Sequence, residues 1–121
     1  MPYMDRRVQA AIDFMEQDLT RPFQLNEVAG VVNLSPSRLQ HLFKLDTDTS
    51  PCRYFKLLKL RRAKELIETT FLSTKQIMVR LGINDESHFV RDFKETYGLP
   101  PAHYRRRLPS LEITTTGLAK K

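Results

Sequence analysis

Ser37, Arg38, Gln40, His41 and Lys44 fall opposite Leu39, Leu42 and Phe43 when residues 36 onward are wound as a helix. Such a face carries the donors and acceptors that read base edges, since a glutamine amide suits adenine and a basic side chain suits guanine. Taken alone, it also fits a solvated polar surface. Other chemistries find no support. His41, His88 and His103 are far apart and none has a second ligand at local spacing, while Cys52 stands alone, so no metal set is expected. No glycine-rich phosphate loop, nucleophile elbow or paired-carboxylate arrangement is present, so neither an enzyme nor a cofactor is expected.

Composition narrows the partner. The 121 residues contain 20 Lys and Arg against 14 Asp and Glu, a formal charge of +6 that favours a polyanion. An acidic protein or an anionic membrane surface would meet that charge as well. The single cysteine rules out an intrachain disulfide and fits a reducing compartment. The N-terminus is polar within its first few residues, and no apolar run approaches the roughly 20 residues that span a bilayer, so a cytoplasmic protein without a membrane partner is expected.

The elements that must position the polar face are helices, because apolar residues recur at three- and four-residue spacing and β-branched residues never cluster with period two. A first helix is expected at about 5–18, with Val8, Ala11, Ile12, Met15 and Leu19 inward. Asn26 is expected to cap a short second helix, with Leu25 as a staple and Val28, Ala29 and Val32 buried. Ser35-Pro36 opens the third and Asp48 is its turn residue; Ser50-Pro51 repeats the cap-then-proline signal and opens the longest helix, about 51–69. Tyr54, Phe55, Leu57, Leu58, Leu60, Ala63, Leu66 and Ile67 make too wide an apolar surface for one stripe, as in a helix serving two small cores. Ser73 caps a fifth helix that Gly82 breaks. A sixth spans about Glu86 to Tyr97, with Phe89 and Phe93 inward and Gly98 at its end, and Pro101 starts a short last helix through Tyr104. From Pro109 the chain reads as a Thr-rich tail.

An internal repeat underlies this layout. Val28 superposes on Ile77 and Leu34 on Ile83 at an offset of 49, whereas Leu39, Phe43 and Lys44 superpose on Phe89, Phe93 and Lys94 at 50. One residue has therefore been added in the second turn. Each copy has the pattern of a short helix, a turn and a longer polar-faced helix, the shape of a helix-turn-helix. The reading is all-α with about seven helices: an N-terminal helix-turn-helix subdomain (1–50), a linker helix (51–69), a C-terminal one (70–108) and a flexible tail (109–121). A straight linker of that length spans roughly 28 Å, close to the roughly 34 Å between major-groove faces on one side of B-DNA. A monomer could then address two adjacent groove segments.

The chain resembles the DNA-binding domain of the AraC/XylS family of bacterial transcription regulators over about residues 5–107. The resemblance is carried by Gly82-Ile83, Ser87-His88-Phe89-Val90-Arg91-Asp92-Phe93-Lys94, Gly98-Leu99-Pro100-Pro101 and Tyr104-Arg105 in the second unit. Val28-Ala29, Leu34-Ser35, Leu39, Phe43-Lys44 and Tyr54 carry it in the first, and Leu60, Ala63 and Leu66-Ile67 in the linker. It departs at Thr74, Met78, Ile83, Asp48 and Lys59. Thr74 and Met78 are one turn apart, so the smaller residue is expected to make room for the larger.

What the resemblance implies is a promoter-binding regulator of double-stranded DNA, an activator by family habit, with RNA polymerase as a further partner. A basic helical adaptor for an acidic protein is the alternative from another class. Base reading is expected from Ser37, Gln40 and His41, with Arg38 either reading or binding phosphate, and, by the family mapping, from Ser87, His88 and Arg91, with Arg91 the foremost. Phosphate contacts are expected from Ser35, Lys44, Arg53, Asn84 and Arg105. The basic residues of the linker helix, Arg53, Lys56, Lys59, Arg61, Arg62 and Lys64, cannot all face one way, so several of them are expected only to be solvated.

Overall fold

A computed structural model describes residues 4–108, in which all the regular secondary structure is α-helical. Seven helices follow one another: α1 (Arg6–Gln17), α2 (Leu25–Val31), α3 (Pro36–Thr47), α4 (Pro51–Thr69), α5 (Thr74–Arg80), α6 (Glu86–Tyr97) and α7 (Pro101–Arg107). The tail expected at 109–121 lies outside the described residues. Two compact units meet within α4, one ending at Lys59 and the other beginning at Leu60. Each unit therefore takes about half of that helix into its own core, which accounts for an apolar surface too wide for one stripe.

In the first unit α1, α2, α3 and the beginning of α4 close around Val8, Ala11, Ile12, Met15, Val28, Ala29, Val32, Leu39, Phe43, Phe55 and Leu58. Phe43 is wholly buried and meets Tyr54 edge-on, ring centroids 5.3 Å apart. In the second unit Leu60, Ala63, Leu66 and Ile67 of α4 are buried together with Ile77, Met78, Leu81, Phe89 and Phe93. Phe93 is this unit's aromatic hub, 4.9 Å from the Tyr97 ring and 5.6 Å from that of Tyr104. Thr74 is half-buried and Met78 buried one turn later on the same helix.

The turns explain the one-residue mismatch of the repeat. After α2, Asn33 takes a left-handed conformation (φ 59°) and Leu34 N–H donates to Ala29 C=O at 3.0 Å; after α5, Gly82 does the same (φ 66°) and Ile83 N–H donates to Met78 C=O at 2.9 Å. This six-to-one closure is the Schellman pattern. Ser35, the N-cap of α3, then follows Leu34 directly, whereas Asp85, the N-cap of α6, follows Ile83 after Asn84. Asn84 is the added residue. From these N-caps onward α3 and α6 keep an offset of 50, and at their far ends Asp48 (φ 63°) and Gly98 (φ 91°) both close left-handed.

Two boundaries differ from the sequence reading. Gln24, not Asn26, is the N-cap of α2, without a side-chain hydrogen bond, and Leu25 is already helical. Its start is held by packing instead, since Leu25 lies against the buried cluster. α7 continues to Arg107 and not only to Tyr104, with Arg105, Arg106 and Arg107 in its last turn, where positive charge favours a helix C-terminus.

α5 is only seven residues long and depends on its cap. Ser73 Oγ accepts from Gln76 N–H at 3.1 Å while Gln76 Oε1 accepts from Ser73 N–H at 2.8 Å, a reciprocal capping box. Ser73→Ala should cost about 1 kcal/mol of stability in denaturant titrations. A variant indistinguishable from wild type would mean that tertiary packing alone holds this helix start.

Candidate nucleic-acid interface

The faces left outside the two cores are built alike. Ser35 Oγ accepts from Arg38 N–H at 3.1 Å and Pro36 occupies the first turn of α3, so the helix starts firmly at the polar residues. Leu39 and Phe43 point into the core. Ser37, Arg38, Gln40, His41 and Lys44 are exposed. On α6 the same inward positions are Phe89 and Phe93, and Ser87, His88, Arg91 and Lys94 are exposed, with half-buried Val90 in the place of Gln40. Counted at the offset of 50, Ser37 answers to Ser87, Arg38 to His88, His41 to Arg91 and Lys44 to Lys94.

Local partners constrain some of these side chains and leave others available. The Arg91 side chain is 59% exposed, and its nearest carboxylate oxygen, on Asp92, is 3.9 Å from Nε, too long for a hydrogen bond. Lys44 Nζ lies 3.8 Å from Asp48 Oδ1 with its side chain 66% exposed, a loose pair that a phosphate can displace. Asn84 and Arg53 are exposed, the one in the turn before α6 and the other in the first turn of α4, where Ser50 Oγ accepts from Arg53 N–H at 3.2 Å. Ser35 uses an oxygen lone pair for its cap and keeps its hydroxyl proton for another acceptor.

Arg105 corrects the phosphate set. Its guanidinium turns inward and donates to Ile67 C=O at 3.3 Å, to Thr70 C=O at 3.1 Å and to Leu72 C=O, closing the C-terminal end of α4 and the loop after it. Burial draws its pKa below that of an ordinary arginine. Beside it Tyr104 O–H donates to Glu68 Oε2 at 2.6 Å, and Lys64 Nζ reaches the same oxygen at 2.9 Å. These two contacts, the tyrosine first, hold the Glu68 carboxyl below the usual range. Arg105 is thus a clamp between α7 and α4, with Nη1 and Nη2 both bonded to main-chain carbonyls and Nε buried without a hydrogen-bond partner.

Two of the other basic residues of α4 also have local partners. Arg62 pairs with Glu65 at 3.0 Å and the ammonium of Lys59 lies 5.3 Å from the Phe55 ring centroid, its pKa lowered by burial against the field of Asp18. Arg61 is exposed. Among the described residues no group of three His, Cys, Asp or Glu could hold a metal ion, and no helix is long and apolar enough to cross a membrane.

The residue that the sequence reading passed over is Asp85. Its Oδ1 accepts from His88 N–H at 3.0 Å and its Oδ2 lies 2.6 Å from His88 Nδ1. The backbone bond first, and then the ring, keep this carboxyl below its ordinary pKa. An aspartate three residues before a histidine at a helix start is a signal of this pair, but Asn84 beside it is an equally good capping type.

Comparison with known proteins agrees with this geometry. Residues 28–107 match the family model described as a helix-turn-helix domain. The chain is 33% identical over 103 residues to the transcriptional regulator GbdR of Pseudomonas aeruginosa, and 33% identical over 105 residues to the arabinose operon regulatory protein of Escherichia coli. These alignments cover 85% and 86% of this chain but 28% and 36% of the relatives, so the chain spans about a third of the length of the curated proteins that it matches. Among solved structures it resembles an AraC-type regulator from Chromobacterium violaceum (TM-score 0.79, 28% identity, 87% of this chain and 96% of that one). It also resembles the C-terminal domain of AraT, a response regulator from Geobacillus stearothermophilus (TM-score 0.80, 27% identity, 88% and 90%). With two capped, polar-faced helices on repeated Schellman turns, the chain belongs to the AraC/XylS family of helix-turn-helix transcription regulators and is their DNA-binding domain.

Proposed function

We propose that the protein reads double-stranded DNA in a sequence-specific way with both α3 and α6, each in one of two adjacent major-groove segments, and that it acts as a monomer. The observation that carries this reading is the recurrence, 50 residues apart, of one exposed polar and basic face on two helices that are otherwise built into separate cores. A 19-residue helix joins the two units, and a straight one spans about 28 Å, near the spacing of successive major grooves. Base edges are assigned to Ser37, Arg38, Gln40 and His41 on α3 and to Ser87, His88 and Arg91 on α6. Phosphates are assigned to Ser35, Lys44, Arg53 and Asn84. The regulatory outcome assigned is activation through contact with RNA polymerase, in the cytoplasm.

An adaptor for an acidic protein would need an apolar anchor on these faces. α3 exposes only Leu45, near its far end, and no large apolar side chain of α6 is exposed. Selection of bound duplexes from genomic fragments, followed by titration against scrambled DNA at two salt concentrations, tests the proposal. A bipartite motif of about 20 base pairs, preferred by at least roughly 10³ and steeply salt-dependent, is expected. A single short half-site would reduce the interface to one helix. Binding without preference would remove base reading altogether.

A further inference from the structure

The two recognition helices differ in what their N-cap side chains bind. In α3 the N-cap is a serine and the residue three positions on is Arg38, whose side chain the cap does not touch. In α6 the N-cap is Asp85 and the residue three on is His88, and one carboxylate binds both the backbone and the ring of that histidine. A carboxylate only accepts, so the ring nitrogen at 2.6 Å must carry the proton. In the neutral ring the other nitrogen, Nε2, is then unprotonated and has one role left. It can accept and cannot donate.

We propose that Asp85 is a specificity-determining positioning residue: it fixes neutral His88 as the Nδ1–H tautomer, so that Nε2 selects a base carrying an N–H donor in the major groove, adenine N6 or cytosine N4. The inference rests on the base-reading role proposed above for His88. The His88 side chain is 61% exposed, which leaves the ring open to a base beyond the cap. Guanine and thymine would present an acceptor to an acceptor, leaving both unpaired in the desolvated groove.

The chemistry offers an unusually clean substitution. In Asp85→Asn the amide oxygen is required by the His88 backbone N–H, because asparagine caps as well as aspartate does. The amide nitrogen then faces Nδ1 as a donor. Nδ1 must accept, the proton moves to Nε2, and the reading group changes from acceptor to donor.

Selections on randomised duplexes with the full chain at about pH 8, where histidine is ordinarily neutral, should show adenine or cytosine preferred at one position of the α6 half-site. For Asp85→Asn the preference at that position should reverse to guanine or thymine, by about five- to tenfold in relative affinity. Asp85→Ser, which keeps a capping oxygen but releases the ring, should flatten it. His88→Ala should lose it. If His88→Ala loses the preference while Asp85→Asn and Asp85→Ser both keep that of wild type, the ring reads DNA without help from Asp85 and the inference falls. If His88→Ala changes no position, the assignment of His88 falls first and the inference with it. Should Asp85→Asn fail to fold in thermal melts, Asp85→Ser decides by the same readout.

Discussion

Arg105→Ala is expected to destabilise the second unit by about 2–4 kcal/mol and to leave the salt dependence of DNA binding unchanged. The guanidinium reaches the Ile67 carbonyl, which the end of α4 leaves without an intrahelical donor, and the Thr70 and Leu72 carbonyls of the loop that follows. It also places positive charge at the negative end of α4. Truncation removes several charge-assisted bonds together and strands part-buried acceptors, which is why the effect exceeds that of an ordinary surface arginine. Urea titration, with hydrogen exchange in α7 and at the end of α4, measures it. Arg105→Lys should recover only part, since an ammonium cannot fork between carbonyls as a guanidinium does. A phosphate ligand behaves otherwise: its loss lowers the salt slope by about one and spares stability. That second pattern would return Arg105 to the interface.

The contrast shows what a sequence conveys about an interface of this kind. Helix limits were readable because they are local: Ser35-Pro36, Ser50-Pro51, Ser73 and Gly98 each act within a few residues, and each sits at the expected end. The start of α2 was not, because no side chain caps it and tertiary packing decides. The repeat also announced its added residue, though not which one, since Asn84 and Asp85 are both capping types. Arginines are a different matter. Arg105 precedes two further arginines and reads like part of a basic surface, while its acceptors lie 33–38 residues earlier and only the folded chain brings them within reach. A long cationic stem can bury along apolar surface or extend into water, and local sequence does not distinguish the two. The polar faces of α3 and α6 were legible for the opposite reason: the positions of Leu39, Phe43, Phe89 and Phe93 orient both helices, and the rest of each face follows from 3.6 residues per turn.

Arg91→Ala should then behave as the inverse of Arg105→Ala. Arg91 stands at the middle of the exposed α6 face, its inward neighbours Phe89 and Phe93 are held by the core, and its guanidinium makes only the 3.9 Å approach to Asp92. Its removal should leave the denaturation midpoint nearly unchanged, because an exposed side chain without good partners contributes little to folding. On the preferred duplex it should cost about 1–3 kcal/mol, the discrimination carried by a bidentate contact to guanine. Scrambled DNA should lose less, so the ratio of the two affinities falls, by at most the roughly 5- to 150-fold lost on the preferred duplex. Arg91→Lys separates charge from geometry: a lysine there should restore binding to scrambled DNA while most of the discrimination stays lost, since a point charge serves any phosphate but does not match the paired acceptors of guanine. Equal losses on every sequence for Arg91→Ala, with the salt slope reduced by about one, would instead place this arginine against the backbone. Base reading by α6 would then fall to Ser87 and His88.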